Sequence, residues 1–406
     1  MARLLIVTDA TFYRLGDQVL DRCGFDRRFF DDYCAEFDEV RVAARISDRL
    51  PAAGLRRADG DGLSFVDLQP AQGLSWALAP RARHCRALER AVGWADALCL
   101  RLPAVAGWHA ARLACAQQKP AMFELTGDPL GRAPGAPAAR IDGELLARRT
   151  RWILRRCPLG SYVSASHLQA RYPAAPGATT ASISSIRLER ARLRPPRTGR
   201  WQSDRLRLIH VGAFAPVKNQ ALLIQGLRRA RAEDLPIALR LVGEGATRAR
   251  IERMVRAHGL EDRVTLTGHL PGPERVMAEM AEADALVMPS WSEGLPRAVL
   301  EAMAVGLPVI GSDVAGIRQL LPHWLLFDPA APASLLERCR VLFDDVAYRR
   351  AAAHGSSKVR EFTADVLSPR RRALLAELRQ LALTPLEPQR AAPALRPAAA
   401  LSDYPG

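Results

Sequence analysis

The sequence predicts an α/β protein made of two doubly wound units, each a mostly parallel sheet with helices on both faces. Three observations lead there. Short apolar runs alternate along the chain with longer amphipathic stretches, the pattern of strands that cross over through helices. The 406 residues exceed what one hydrophobic core usually serves. Between two series of such repeats lies Arg190 to Asp204, rich in Arg, with Pro195-Pro196 and Gly199, which reads as a linker.

In the first unit, residues 1–189, strands are expected near 3–8, 39–43, 63–68, 96–101, 120–125, 160–165 and 180–185. The second unit, 205–363, has them near 206–211, 236–242, 263–267, 284–288 and 307–311, each followed by a helical stretch. Residues 364–382, with Leu374-Leu375-Ala376-Glu377-Leu378, predict a helix long enough to cross back to the first unit. From 383 to 406 Pro and Ala dominate without periodicity, which predicts a disordered tail.

Composition narrows the function. With 49% apolar and 25% charged residues, disordered and fibrous chains are excluded. A net charge of +15 raises nucleic acid or an anionic membrane as partners. Yet only three of the 58 basic residues are lysines (Lys119, Lys218, Lys358), so the arginine excess reads as compositional bias, and nucleic acid is disfavoured. The seven cysteines contain no C-x-x-C pair and no His at ligand spacing, which argues against disulfides and zinc and for a reducing compartment. The apolar run after Met1-Ala2-Arg3 is too short for a signal peptide, and no run reaches eighteen apolar residues, so a cytoplasmic location is expected.

Ligands of open α/β sheets sit at the carboxyl ends of strands. One such loop stands out, Pro289-Ser290-Trp291-Ser292-Glu293-Gly294-Leu295-Pro296, running into Arg297-Ala298-Val299-Leu300-Glu301-Ala302-Met303-Ala304. Gly294 permits close backbone approach, and Pro296 suits a helix start whose free N–H groups favour anions. Glu293 precedes the helix and Glu301 lies inside it, roughly 7–8 Å apart along the axis. Two carboxylates so spaced can grip two parts of one ligand, each accepting from a vicinal diol: Glu301 a ribose, Glu293 a hexose. Taken singly, Glu293 reads better as an N-terminal helix charge and Glu301 as part of a solvated helix face; the surrounding string decides for a ligand.

This string resembles the donor half of the large retaining glycosyltransferase family of GT-B fold often called family 4, whose signature is Glu-x7-Glu. The resemblance implies two Rossmann-like domains facing a central cleft, with Glu293 at the transferred sugar, Gly294 and Leu295 near sugar and phosphate, and Glu301 on the ribose. Gly212-Ala213-Phe214-Ala215-Pro216-Val217-Lys218 is similar to the family's diphosphate loop, with Lys218 in the place of its Lys and Ala213 where an Arg often stands. Arg297 and Arg318 are candidates to replace that charge. Gly243-Glu244-Gly245 resembles the family's next Gly-x-Gly, and Gly268-His269 its loop beside the base, contacted through backbone.

For the first unit the resemblance implies a phosphate-contacting loop after strand one, here Thr11 to Asp17 with Gly16. Where the family often has a His near the reacting centre, this chain has Glu124-Leu125-Thr126-Gly127-Asp128; Asp128 either serves as a general base or caps the turn. Asp59-Gly60-Asp61 is turn chemistry rather than a metal site, and no metal or cofactor is expected, Lys218 and helix N-termini taking the role of a cation. The basic segment Ala147 to Arg156 either rests on an anionic membrane or covers the sheet. The function that follows is transfer of a hexose from a nucleoside-diphosphate sugar, UDP rather than GDP, to a glycan or lipid-linked acceptor with retention. The alternatives are a nucleotide-sugar epimerase of similar fold, or an arginine-rich binder of anionic polymer or membrane.

Overall fold

Strand β1 (Arg3–Leu15) opens the chain, and the buried run Leu4-Leu5-Ile6-Val7 shows why it lies in mid-sheet: helices cover both of its faces, so no polar side chain alternates in. The computed structural model describes residues 1–22, 24–51, 54–68, 82–131, 137–199, 201 and 203–384. The nine-stranded first sheet continues with β2 (Gln18–Asp21), β3 (Glu39–Ser47), β4 (Arg56–Arg57), β5 (Leu63–Asp67), β6 (Ala97–Leu102), β7 (Ala121–Leu125), β8 (Leu159–Tyr162) and β9 (Thr179–Ser182). Its parallel part runs β5-β3-β1-β6-β7-β8-β9.

The second sheet is wholly parallel, in the order β12-β11-β10-β13-β14-β15. Its strands are β10 (Leu206–Val211), β11 (Ile237–Val242), β12 (Val264–Gly268), β13 (Ala285–Met288), β14 (Val309–Ser312) and β15 (Leu326–Phe327). Every residue of β13 is buried, as a central strand between helix layers requires. Two doubly wound units are therefore present.

One expectation is corrected. Strand one does not open onto a loop at Thr11: β1 runs on to Leu15, turns at Gly16, and pairs antiparallel with β2 through Tyr13↔Leu20. The β-favouring Thr11-Phe12-Tyr13 sustains the strand because Phe12 is buried, its ring 4.8 Å from that of Phe65. A shift in the β1/β3 register between Val7 and Thr11 lets the strand bend there.

The helix Ala364–Leu383 packs on the first unit. Arg371, buried, donates to Asp32 at 2.8 Å and to the Ser184 carbonyl at 3.0 Å; Ser368 also donates to Asp32, and Arg372 to Glu36. Beneath it Tyr33 donates to Glu124 at 2.6 Å, and Arg101 pairs with the same carboxylate. Leu374, Leu375 and Leu378 complete the seam. Residues 385 to 406, most of the tail expected to be disordered, lie outside the described residues.

The units also touch across the cleft. The Ala165 N–H donates to Gln319 at 2.9 Å, and Arg56 and Arg28 of the first unit face Glu274 of the second. Burial works to raise the Glu274 carboxyl, but Arg56 and Arg192 outweigh it and hold it at about 2.

Candidate functional site

The loops singled out by sequence follow β10, β11, β12 and β13, four consecutive neighbours in the second sheet, so their carboxyl ends line one edge. The Gly212 N–H donates to Val242, Gly243 to Gly268, and Phe214 to Glu244. Gly243 has φ +140°, and a Cβ on it would fall 2.0 Å from the Gly212 carbonyl oxygen. Backbone packing between neighbouring loops therefore demands this glycine, where the resemblance implied ligand approach. Gly268, at φ +77°, closes the row beside Glu244 and Arg248.

Lys218 and Glu293 meet at this edge. Lys218 Nζ donates to Glu293 Oε1 at 2.6 Å, and Ser290 Oγ donates to the same oxygen at 2.6 Å. The loops are pinned to each other, which fixes the pair: the Trp291 N–H donates to Val217 at 2.8 Å, and Asn219 Nδ2 donates to Pro289 at 3.2 Å and Pro329 at 2.9 Å. Asn219 takes the left-handed conformation, φ 52° and ψ 37°, turning the chain into the next helix. Below them His210, fully buried, donates from Nδ1 to Val287 at 3.1 Å, leaving Nε2 as acceptor 3.4 Å from Gln220 Nε2. Burial, with nearby Lys218, lowers its pKa to about 4 against the opposing bond to Val287, so the ring is neutral.

Glu301 is the fifth residue of the helix Arg297–Ala304. Burial raises its carboxyl above the usual range, with Arg297 opposing, and among the described residues it accepts no hydrogen bond. A carboxylate that accepts no hydrogen bond keeps its acceptor positions open to a ligand's donors. Gly294 lies against the first unit, where a Cβ would come 2.5 Å from the Thr126 carbonyl oxygen, and its own carbonyl accepts from Gln319 at 3.2 Å.

Known proteins resemble this chain in sequence and in fold. Residues 196–358 match the family described as glycosyl transferases group 1. This segment is similar to group 1 glycosyl transferases. The putative glycosyltransferase EpsF of Bacillus subtilis is 36% identical over 166 residues, 41% of each chain. The amylovoran biosynthesis glycosyltransferase AmsK of Erwinia amylovora is 32% identical over 145 residues, 33% of this chain and 35% of AmsK. CapJ of Staphylococcus aureus aligns further, 80% of this chain with 83% of CapJ, at 22% identity. In shape, Anabaena HepE, solved with UDP and glucose, superposes at TM-score 0.67 over 93% of this chain and all of HepE, at 16% identity. Sucrose-phosphate synthase of Thermosynechococcus elongatus gives 0.69 over 93% and 99%, at 18%. The described residues thus have the GT-B fold implied by the resemblance.

Opposite the second unit, two residues of the first that the resemblance implied are accounted for by the chain itself. Gly16 (φ +58°) sits in an exposed hairpin turn with no atom within 4 Å of where a Cβ would be, so its conformation alone accounts for the glycine. Asp128 accepts from Tyr172 at 2.6 Å and from the Leu130 N–H at 2.9 Å, and pairs with Arg171 at 3.0 Å. These three contacts take most of its acceptor positions, which favours the turn cap over a free general base. Asp59 accepts from Val19 and Arg57, holding the hairpin.

The basic segment falls in the helix Pro137–Leu154 and just beyond it; Ala147, Ile153 and Leu154 are buried, and Trp152 meets Trp108 edge to face, the ring centres 4.7 Å apart. Its apolar side thus faces the sheet. No helix among the described residues is long and apolar enough to cross a membrane. Arg318 is paired with Asp313 at 2.6 Å, whereas Arg297 reaches toward Gly24 of the first unit. Sequence reasoning missed Ser290, Asn219, His210 and Gln319. Ser290 stood inside the motif and gave a signal; the others act through partners distant in sequence.

Proposed function

We propose that the protein transfers a hexose from a nucleoside-diphosphate sugar, UDP in preference to GDP, to a hydroxyl of a glycan or lipid-linked acceptor, with retention at the anomeric carbon as the resemblance implies. The observation that carries this is the Lys218–Glu293 contact, followed in the next helix by Glu301, whose carboxylate accepts no hydrogen bond among the described residues. Binding of the donor separates the pair: the Lys218 ammonium turns to the departing diphosphate, and Glu293, steadied by Ser290, accepts from sugar hydroxyls. Glu301 accepts from the ribose diol. Free N–H groups at the start of the helix Arg297–Ala304 add positive potential at the phosphates, so this reading needs no divalent cation. Contact of Gly294 with Thr126 keeps water from the reacting bond when the cleft is closed. HepE, of the same shape, is known with UDP and glucose, which supports the donor class.

Thermal unfolding against UDP, GDP, ADP and NAD tests the donor site. A ligand at a hundred times its dissociation constant adds about 2.7 kcal/mol. A selective shift with one nucleoside diphosphate, lost in Glu301→Ala, is expected; no shift with any nucleotide would sink the reading. Incubation with donor alone separates transfer from epimerisation, since only the latter yields an isomeric sugar without acceptor.

A further inference from the structure

The cleft continues beyond the sugar loop. At the carboxyl ends of β8 and β9 lies a cavity of about 400 Å³, walled by Ser182 and Ser184 of the first unit, Gln319 of the second, Arg360 and Phe362 of the segment joining the last helices, and Arg370 of the helix Ala364–Leu383. Gln319 ties it to the donor loop: Oε1 accepts from the Ala165 N–H at 2.9 Å, while Nε2 donates to the Gly294 carbonyl at 3.2 Å. A molecule in the cavity is thus one side chain away from the residue that follows Glu293.

The charges facing this space are unbalanced. Among the described residues Arg360 and Arg370 form no ion pair and donate no hydrogen bond. Glu361, the carboxylate lining the cavity, is held by Lys358 at 2.8 Å and 3.0 Å. Nearby Asp365 is likewise taken, by Arg190 at 3.0 Å. Two open guanidiniums, serine hydroxyls and the half-buried Phe362 form a mixed surface. It suits a sugar ring that lays one face on an apolar wall and carries a negative group, since guanidinium binds phosphate or carboxylate with a two-pronged fork.

We propose that this cavity is the acceptor subsite and that Arg360 and Arg370 grip an anionic substituent, phosphate or carboxylate, on the acceptor sugar. The proposal rests on the glycosyltransferase reading above and adds the chemical class of its acceptor.

Isothermal titration of the full chain, saturated with whichever of UDP or GDP stabilises it, tests this with three probes: glucose 1-phosphate, glucuronate and glucose. At least one anionic sugar is expected to bind roughly tenfold or more tighter than glucose, and the preferred one names the anionic group. Arg360→Gln and Arg370→Gln should each weaken that binding roughly tenfold while leaving the nucleotide affinity within about twofold. The nucleotide titration also reports folding; a variant that loses it is replaced by the lysine substitution at the same position, for which intermediate affinity is expected. Equal affinity for all three sugars, no binding of any, or unchanged affinity in the variants overturns the proposal while the donor reading stands. Failure of the wild-type chain to bind either nucleotide takes down both.

Discussion

Lys218 Nζ lies 2.6 Å from Glu293 Oε1, although 75 residues separate them. Each holds the other, and in the proposed reaction each has a distinct part once a donor enters. Lys218→Ala should weaken nucleoside diphosphate binding and lower transfer about 10²–10³-fold, the scale of one lost electrostatic stabiliser. Glu293→Gln should lower transfer by a similar factor but leave nucleotide affinity nearly unchanged. Paired binding and rate measurements check the split; equal loss of nucleotide affinity in both variants would refute the assigned roles.

Glu301 is expected to recognise the ribose. Glu301→Gln should cost about 1.5–3 kcal/mol of nucleotide affinity, the range for a hydrogen bond to a charged group. Removing the 2′-hydroxyl of the nucleotide should weaken binding to the wild type but add little in the variant, and a double-mutant cycle measures this. Because burial raises the Glu301 pKa, nucleotide affinity should fall as pH drops through that raised value, sooner than for an ordinary glutamate. Affinity flat down to pH 4.5 would contradict it.

His210 makes stability depend on pH. Its folded pKa of about 4 lies below the ordinary 6.5, so below pH 6.5 the unfolded chain takes up a proton that the native chain refuses. Stability falls as pH drops from about 6.5 to 4, by up to about 3 kcal/mol from this residue. Denaturant titrations of wild type and His210→Gln across that window should give a flatter profile for the variant.

Gly243→Ala should destabilise the donor domain. A methyl group there meets the Gly212 carbonyl oxygen at 2.0 Å, with backbone on both sides and φ +140°. A cost of about 2 kcal/mol or more is expected, together with weaker nucleotide binding. Full stability would show that the two loops can part.

Arg371 straps the last helix to the first unit. Arg371→Met leaves Asp32 buried beside Ser368 without its cation, an expected loss of about 3–5 kcal/mol. Asp32→Asn combined with Arg371→Met should recover part of it, since no uncompensated charge then remains. Chemical denaturation of the single and double variants measures the recovery.

Much of this protein is legible in the chain itself. Buried runs such as Leu4-Leu5-Ile6-Val7 and Ala285 to Met288 mark central parallel strands because helices on both faces remove the alternation of polar residues. Glu293, Gly294 and Glu301 could be singled out together because they lie within one loop and one helix, where spacing in sequence is spacing in space. Gly16 and Gly243 show the limit: a glycine announces a special backbone, but whether a ligand, a turn or another loop requires it depends on what stands opposite.

What only the tertiary structure decided are the partnerships across long separations. Strand pairing sets β10 beside β13 and so brings Lys218 to Glu293; the same pairing buries His210 under the glycine loop. Asp128 reads equally as base or cap until Tyr172 and Arg171 are folded against it. Arg360 and Arg370 look like any other arginines in a chain rich in them until the closing helices carry them to the carboxyl ends of β8 and β9. Local sequence fixes backbone preference and hydrophobic period, which are short-range. Charge neutralisation and hydrogen-bond satisfaction depend on neighbours that only the packed chain supplies.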